Sequence, residues 1–394
     1  MKIELTKGVY WVGAVDWNIQ EFHSYTLHHG TTYNAYLIID DKIALIDTVK
    51  PPFYEEMLQR ITEVVSPTKI NYVIANHAEM DHSGALPLLM KDVPEATVIP
   101  SRRHGELGLT KTFHHDWKVM PADETSEVSL GKRKLKFFPI PMLHWPDSMA
   151  TYLVEDAILF PNDAFGQHFA SATRFDDEVD LNLMMAEATR YYATILMPFG
   201  KLILQAIDKL KGLKINTIAP SHGIIWHSNP QRIIDAYITW AKGETKKKAL
   251  VIYETMWGST EKMAKAIVKG IVSEGVEVEP YNLTVSDRSD VIAQVLTAKA
   301  LIVGSATHNN DILPNMAAFL TNLKGLKPSG KIGAAFGSYG WGGGAVKTIE
   351  NMLKEMGVDL VEPSISVQFV PNSETLEQCF ELGKAIAKRV KSQS

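Results

Sequence analysis

Cysteine is almost missing from this chain of 394 residues; Cys379 is the only one. One thiol excludes an internal disulfide, an iron–sulfur cluster and a cysteine-rich zinc site. No apolar run approaches the roughly 20 residues that a membrane-crossing helix needs. The charged start, Met1 to Lys7, has no apolar stretch of the secretory kind. A surplus of positive charge is missing too. Forty Lys and Arg against 45 Asp and Glu leave a net charge of −5. No nucleic-acid and no membrane partner is therefore expected, and a reducing, cytoplasmic setting is. What remains is an ordinary globular composition, 45% hydrophobic and 22% charged. The length predicts two or three domains. Thirteen histidines are present, so any metal must rest on imidazole and carboxylate.

The pattern changes near residue 245. Before it, short apolar runs sit among turns rich in Pro, Asp, Gly and His. Tyr36–Ile39, Ile43–Ile46, Tyr72–Ala75, Thr97–Ile99, Leu135–Phe138, Ala157–Phe160 and Thr217–Ala219 read as strands. Phe53–Val65, Asp180–Tyr192 and Leu202–Lys211 read as helices. Lys242–Lys248 is charged and reads as a linker, dividing residues 1–246 from 247–394. Beyond it, strands at Ala249–Tyr253, Glu277–Glu279, Ala300–Val303, Lys331–Phe336 and Ile365–Val367 alternate with helices. That alternation predicts an α/β doubly wound parallel sheet. There is no internal repeat and no low-complexity stretch.

The sharpest local signal is His77-Ala78-Glu79-Met80-Asp81-His82, directly after an apolar strand. His144, Asp163 and His222 follow later strands or lie in strand-connecting loops. An isolated histidine–x–glutamate is usually a surface loop or a packed core histidine. Agreement among four separate clusters is much harder to reach by chance. Seven candidate ligands exceed the needs of one four-coordinate zinc. They suit two metals sharing a carboxylate, with Asp163 as the candidate bridge. Nitrogen and oxygen donors without sulfur favour iron or manganese over zinc. Asp147 reads either as an orienting carboxylate for His144 or as a turn residue. His104, His114 and His115 read as surface residues.

In the second half, strand Ala249–Tyr253 runs into Thr255-Met256-Trp257-Gly258-Ser259-Thr260 and then a helix. Hydroxyls and a glycine at a helix N-terminus make an anion site. An ordinary capped helix would look similar. The motifs of triphosphate and pyrophosphate binders, a Walker lysine and G-x-G-x-x-G, are missing there. A terminal phosphate is therefore expected. Two more loops extend the site: Ser305-Ala306-Thr307-His308-Asn309-Asn310, and Ser338-Tyr339-Gly340-Trp341-Gly342. Phosphate at one end and aromatic faces at the other describe flavin mononucleotide at the switch point of a doubly wound sheet.

With these motifs in place, the first half resembles the metallo-β-lactamase fold, an αββα sandwich, with Glu79 where the zinc hydrolases usually carry histidine. The second half resembles a flavodoxin. That order, with H-x-E-x-D-H, is similar to the flavodiiron proteins over nearly the whole chain. The resemblance implies one iron on His77, Glu79 and His144 and another on Asp81, His82 and His222, with Asp163 between them. His82 is not a ligand in some members. It implies reduction of dioxygen to water or nitric oxide to nitrous oxide, with electrons relayed by FMN from rubredoxin or another small donor. It further implies a head-to-tail homodimer, or a dimer of such dimers. His23, His168 and Tyr192 read as proton-delivering or orienting groups, or as core residues. With no C-x-x-C pair, electrons are expected from a separate partner. The alternatives are a zinc-dependent hydrolase with a flavodoxin-like sensor domain, and a non-enzymatic electron carrier.

Overall fold

The structure is a computed structural model that describes residues 3–393. They form two compact units: residues 3–191 with 201–238, and residues 192–200 with 239–393.

In the first unit, a six-stranded sheet has the spatial order Ile3–Thr6, Val9–Trp11, Tyr36–Ile38, Ile43–Ile46, Ile70–Ala75, Thr97–Pro100. A five-stranded sheet follows the order Glu127–Ser129, Lys134–Pro139, Met149–Leu153, Ile158–Phe160, Thr217–Ile218. Strand side chains alternate between two faces. Ile38, Ile46, Ile74 and Ile99 point to one side, where they share a core with Phe137, Met149, Leu153 and Phe160 of the second sheet. Their neighbours Leu37, Leu45, Val73 and Val98 belong to another core, with Met57, Leu89 and Leu109 from helices Tyr54–Thr62, Leu86–Asp92 and His104–Phe113. Covering both faces explains why these strands read as continuous apolar runs. Phe137 is fully buried between the sheets. Phe137→Ala is expected to lower unfolding free energy by about 3–5 kcal/mol in urea denaturation.

The second unit is a parallel sheet ordered Glu277–Asn282, Lys246–Glu254, Ala298–Ala306, Ile332–Tyr339, Asp359–Leu360, with Ile365–Gln368 also paired to Ile332–Tyr339. This is a doubly wound order, whose direction reverses beside the first strand. Met263, Ile267 and Ile271 of helix Ser259–Ser273 pack with Cys379, Leu382 and Ile386 of helix Ser373–Ser392. Cys379 is thus an inert core residue.

Two expectations need correction. The sheet begins at Lys246, so the end of the expected linker is strand. Lys248 is buried there because Gln294 accepts from it at 2.9 Å and Glu279 pairs with it at 2.8 Å. The expected helix Asp180–Tyr192 is α-helical over Leu181–Tyr191 and widens into a π-helical turn at Tyr192–Leu196. Short strands between Ile3 and Tyr33, two to four residues each, carry too little pattern to be read. Among the described residues, no helix is long and apolar enough to cross a membrane.

Candidate functional site

In the first unit, strand ends bring the turns together. Ile43–Ile46 pairs parallel with Ile70–Ala75, and Ile158–Phe160 pairs parallel with Thr217–Ile218. Parallel pairing sets C-terminal ends side by side. The segments that follow carry Asp47, then His77 to His82, then Asp163, then His222. His144 comes from the loop between Lys134–Pro139 and Met149–Leu153. Asp47 is buried, in left-handed backbone (φ 56°), and its carboxylate joins two of these turns. It accepts from Asn76 N at 2.7 Å, Asn76 Nδ2 at 3.0 Å and Asn162 Nδ2 at 3.2 Å. These asparagines immediately precede His77 and Asp163.

All seven predicted metal residues meet, in two groups. In the first, Glu79 Oε2 lies 3.1 Å from both His77 Nε2 and His144 Nε2. Asp163 Oδ2 lies 3.7 and 3.5 Å from the same two nitrogens. In the second, His222 Nε2 lies 3.1 Å from Asp81 Oδ2, and His82 Nε2 lies 3.4 Å from Asp81 Oδ1. Asp163 Oδ1 lies 3.1 Å from His82 Nε2 and 3.4 Å from His222 Nε2. One carboxylate therefore turns a different oxygen to each group.

The electrostatics are those of a buried, mutually compensating cluster. Burial pushes the Asp163 carboxyl up, but the imidazoles, His82 first, hold it well below the usual carboxylate range. Burial likewise opposes the charge on Glu79, and its bonds to His144 and His77 outweigh it, lowering it. Two oxygens remain without a donor: Asp163 Oδ2 and Asp81 Oδ1. Buried carboxylate oxygens need a partner. Four inward-facing Nε2 atoms, three carboxylates and no sulfur fit a pair of divalent cations of intermediate to hard character.

Surrounding groups fix the ring orientations. Asp147 Oδ2 meets His77 Nδ1 at 2.9 Å and accepts from Ala78 N at 2.7 Å. It thus orients His77 rather than its sequence neighbour His144. His222 Nδ1 meets Thr32 O at 2.7 Å. Gly223 has φ 76°, and a Cβ there would lie 1.8 Å from Gln167 Oε1, so the turn requires glycine. Of the accessory candidates, His23 is exposed with Nε2 3.3 Å from Glu79 Oε1. His168 is buried, with Nδ1 2.8 Å from Thr31 Oγ1 and its ring 4.7 Å from that of His222. Burial, then the neighbouring His222, holds its imidazole well below the usual range. The ring of Tyr192 packs on Trp240. Its neighbour Tyr191, which sequence reasoning passed over, donates to Asp163 Oδ1 at 3.0 Å. His104 and His114 are exposed, and His115 stacks on Trp117.

In the second unit, the predicted loops enclose a cavity of about 540 Å³. Its lining includes Met256, Trp257, Ser259, Ala306, Thr307, Asn309, Asn310, Ser338, Tyr339, Gly340, Trp341 and Gly342. Phe369 and Val370 join them, unforeseen, because Ile365–Gln368 pairs with Ile332–Tyr339 and delivers the following turn. Thr255, Gly258, Thr260, Ser305 and His308 do not line it. Thr255 Oγ1 instead accepts from Gly258 N, and Thr260 Oγ1 meets Ser338 Oγ at 3.0 Å. Trp257 and Trp341 are more than nine-tenths exposed, large apolar faces beside the opening.

Known proteins share both halves. Residues 31–223 match the ODP family of beta lactamases, and residues 251–383 match flavodoxin. A nitric oxide reductase of Moorella thermoacetica is 52% identical over 98% of each chain. The rubredoxin oxygen:oxidoreductase of Desulfovibrio gigas superposes with a TM-score of 0.97 at 37% identity, covering 100% of this chain and 99% of that one. The flavodiiron protein of Giardia intestinalis does so at 0.97 and 36%, covering 100% and 97%. With nearly full-length similarity on both sides, this chain belongs to the flavodiiron protein family.

Proposed function

We propose that the chain is a flavodiiron reductase acting on nitric oxide, dioxygen or both, with flavin mononucleotide in the second unit and two irons in the first. The single observation that supports the metal assignment is Asp163, whose two carboxylate oxygens face different groups of ligand-type side chains. In this reading His77, Glu79 and His144 hold one iron, Asp81, His82 and His222 hold the other, and Asp163 bridges them. Bound iron would supply redox-active positions for a diatomic gas, and bound flavin would supply the electrons. The chain's own residues do the rest. Asp147 and Thr32 O fix the tautomers of His77 and His222. Tyr191 donates to Asp163 Oδ1, and the burial of these groups keeps bulk water from them.

The flavin reading rests on the cavity ringed by Trp257, Tyr339 and Trp341 above the start of helix Ser259–Ser273. We further propose functional domains at 1–246 and 247–394, a cytoplasmic location, a rubredoxin-like donor and a head-to-tail homodimer. Light scattering on the purified protein tests the last. The hydrolase alternative gains no support from the nitric oxide reductase and the rubredoxin oxygen:oxidoreductase that the chain resembles over nearly its whole length.

The test is metal and flavin analysis followed by gas-electrode assays with reduced rubredoxin. Bound iron with flavin and consumption of nitric oxide or dioxygen is the expected result. Zinc in place of iron, with no gas consumed, would overturn the reading. A second variant probes the surroundings. Asp147→Ala frees His77 Nδ1 and is expected to weaken metal retention about 10- to 100-fold, measured by chelator competition.

A further inference from the structure

We infer that Asn34, oriented by Trp11, is a positioning residue that holds His222 in place. The inference rests on the reading of His222 as a metal ligand. His222 sits in the turn Pro220-Ser221-His222-Gly223, and Asn34 binds that turn on both flanks. Its Nδ2 donates to Pro220 O at 2.9 Å and to Gly223 O at 3.0 Å. Its backbone N donates to Ser221 O at 2.7 Å. Tyr36 Oη and Thr32 Oγ1 also reach the turn, but each holds one flank only.

An asparagine amide can present either end, and the wrong end here would aim oxygen at two carbonyls. Trp11 settles the choice. Its indole Nε1–H, which can only donate, gives Asn34 Oδ1 a hydrogen bond of 2.7 Å. Nδ2 is thereby turned toward the turn. Asn34 is fully buried and Trp11 is 2% exposed, so water offers neither a substitute partner.

Trp11 is itself fixed by charge. The guanidinium carbons of Arg60 and Arg174 each lie 4.8 Å from its ring. Arg174 is 2% exposed, and its Nε and Nη1 have no hydrogen-bond acceptor. A buried cation so poor in acceptors is accounted for by the indole face, the π system that attracts it. The order of support runs from the arginines through Trp11 and Asn34 to His222. No metal ligand lies earlier in that order.

The test compares the unaltered full-length protein with Asn34→Asp and Trp11→Phe. Asn34→Asp keeps the shape but sets oxygen against the two carbonyls. Trp11→Phe keeps a ring for the arginines but releases the amide. The readouts are iron and flavin per chain during a timed chelator challenge, the EPR signal of the half-reduced metal pair, and melting of the metal-free protein. Asn34→Asp is expected to release one iron at least ~10-fold faster while the other is retained, with an altered EPR signal. Flavin content stays at the native value, and metal-free melting falls only modestly, the cost of one buried oxygen set against two carbonyls. Trp11→Phe shifts release in the same direction by less.

Native release rates in Asn34→Asp would overturn the proposal. So would loss of both irons together with a steeply lowered metal-free melting temperature, which is what a general structural role produces. If Asn34→Asp does not fold, Trp11→Phe decides alone, and native release in that variant overturns the idea. Repeating the challenge with cobalt(II)-loaded protein tests the clamp whichever metal the protein carries naturally. A protein that binds no iron but shows the cobalt effect would refute the iron reading and keep this one.

Discussion

Asp163→Asn will strip both irons and leave the flavin. The substitution keeps volume and shape, so neither a cavity nor a clash complicates it. The new Oδ1 can still accept from Tyr191 and Ser221 as the carboxylate does now. Nδ2 then stands where Oδ2 stood, presenting N–H groups toward His77 and His144 instead of a lone pair. Both groups lose their shared anionic oxygen donor. Loss of an outer partner alone costs about 10- to 100-fold in metal affinity, so loss of a shared ligand is expected to exceed ~100-fold at both positions. Gas consumption falls with the metal, below electrode detection. The flavin spectrum is unchanged, because the cavity at Trp257 and Tyr339 has its own core in another unit. Native iron content with native turnover in this variant would remove Asp163 from the bridge.

The converse separation is expected from Ser259→Asp. Ser259 opens helix Ser259–Ser273, where unpaired backbone N–H groups suit an anion. A carboxylate at this position stabilises the helix, so the fold survives. It also occupies the electrostatic role of the flavin phosphate, and like charges so close repel by several kcal/mol. Flavin affinity is expected to fall by ~100-fold or more, read by fluorescence titration of stripped protein. Iron content stays native while gas consumption driven by reduced rubredoxin disappears. Ser259→Ala is the control, expected to lose about tenfold or less because it removes a hydroxyl without adding charge. Native flavin binding in Ser259→Asp would move the phosphate elsewhere.

Residues whose type and immediate neighbours both carried meaning were the ones legible from sequence. His77, Glu79, Asp81 and His82 share one short motif behind an apolar strand, and the fold brings His144, Asp163 and His222 to them. What escaped notice depends on separations that a linear reading cannot span. Asn34 bonds Gly223, 189 positions away. Asp147 orients His77, 70 positions earlier, although His144 is its neighbour. Phe369 and Val370 reach the cavity only through the pairing of Ile365–Gln368. Tyr191 and Tyr192 look alike in sequence, and only the helical phase decides which one faces Asp163. Lys248 looks like a solvated linker residue until Gln294 and Glu279 surround it.

Asp47 carries a consequence for the spacing of His77 and Asp163, two of the proposed ligands. Its one carboxylate grips Asn76 and Asn162, each a single residue before a proposed ligand. Moving His77 away from Asp163 would stretch bonds that are anchored at the end of strand Ile43–Ile46. The separation between these two ligand positions is therefore inherited from the stiff sheets, not from the turns that display them. With ions held as proposed, a frame of this kind would change little on a change of their charge. Low reorganisation of this sort would favour rapid electron exchange over slow, conformationally gated exchange.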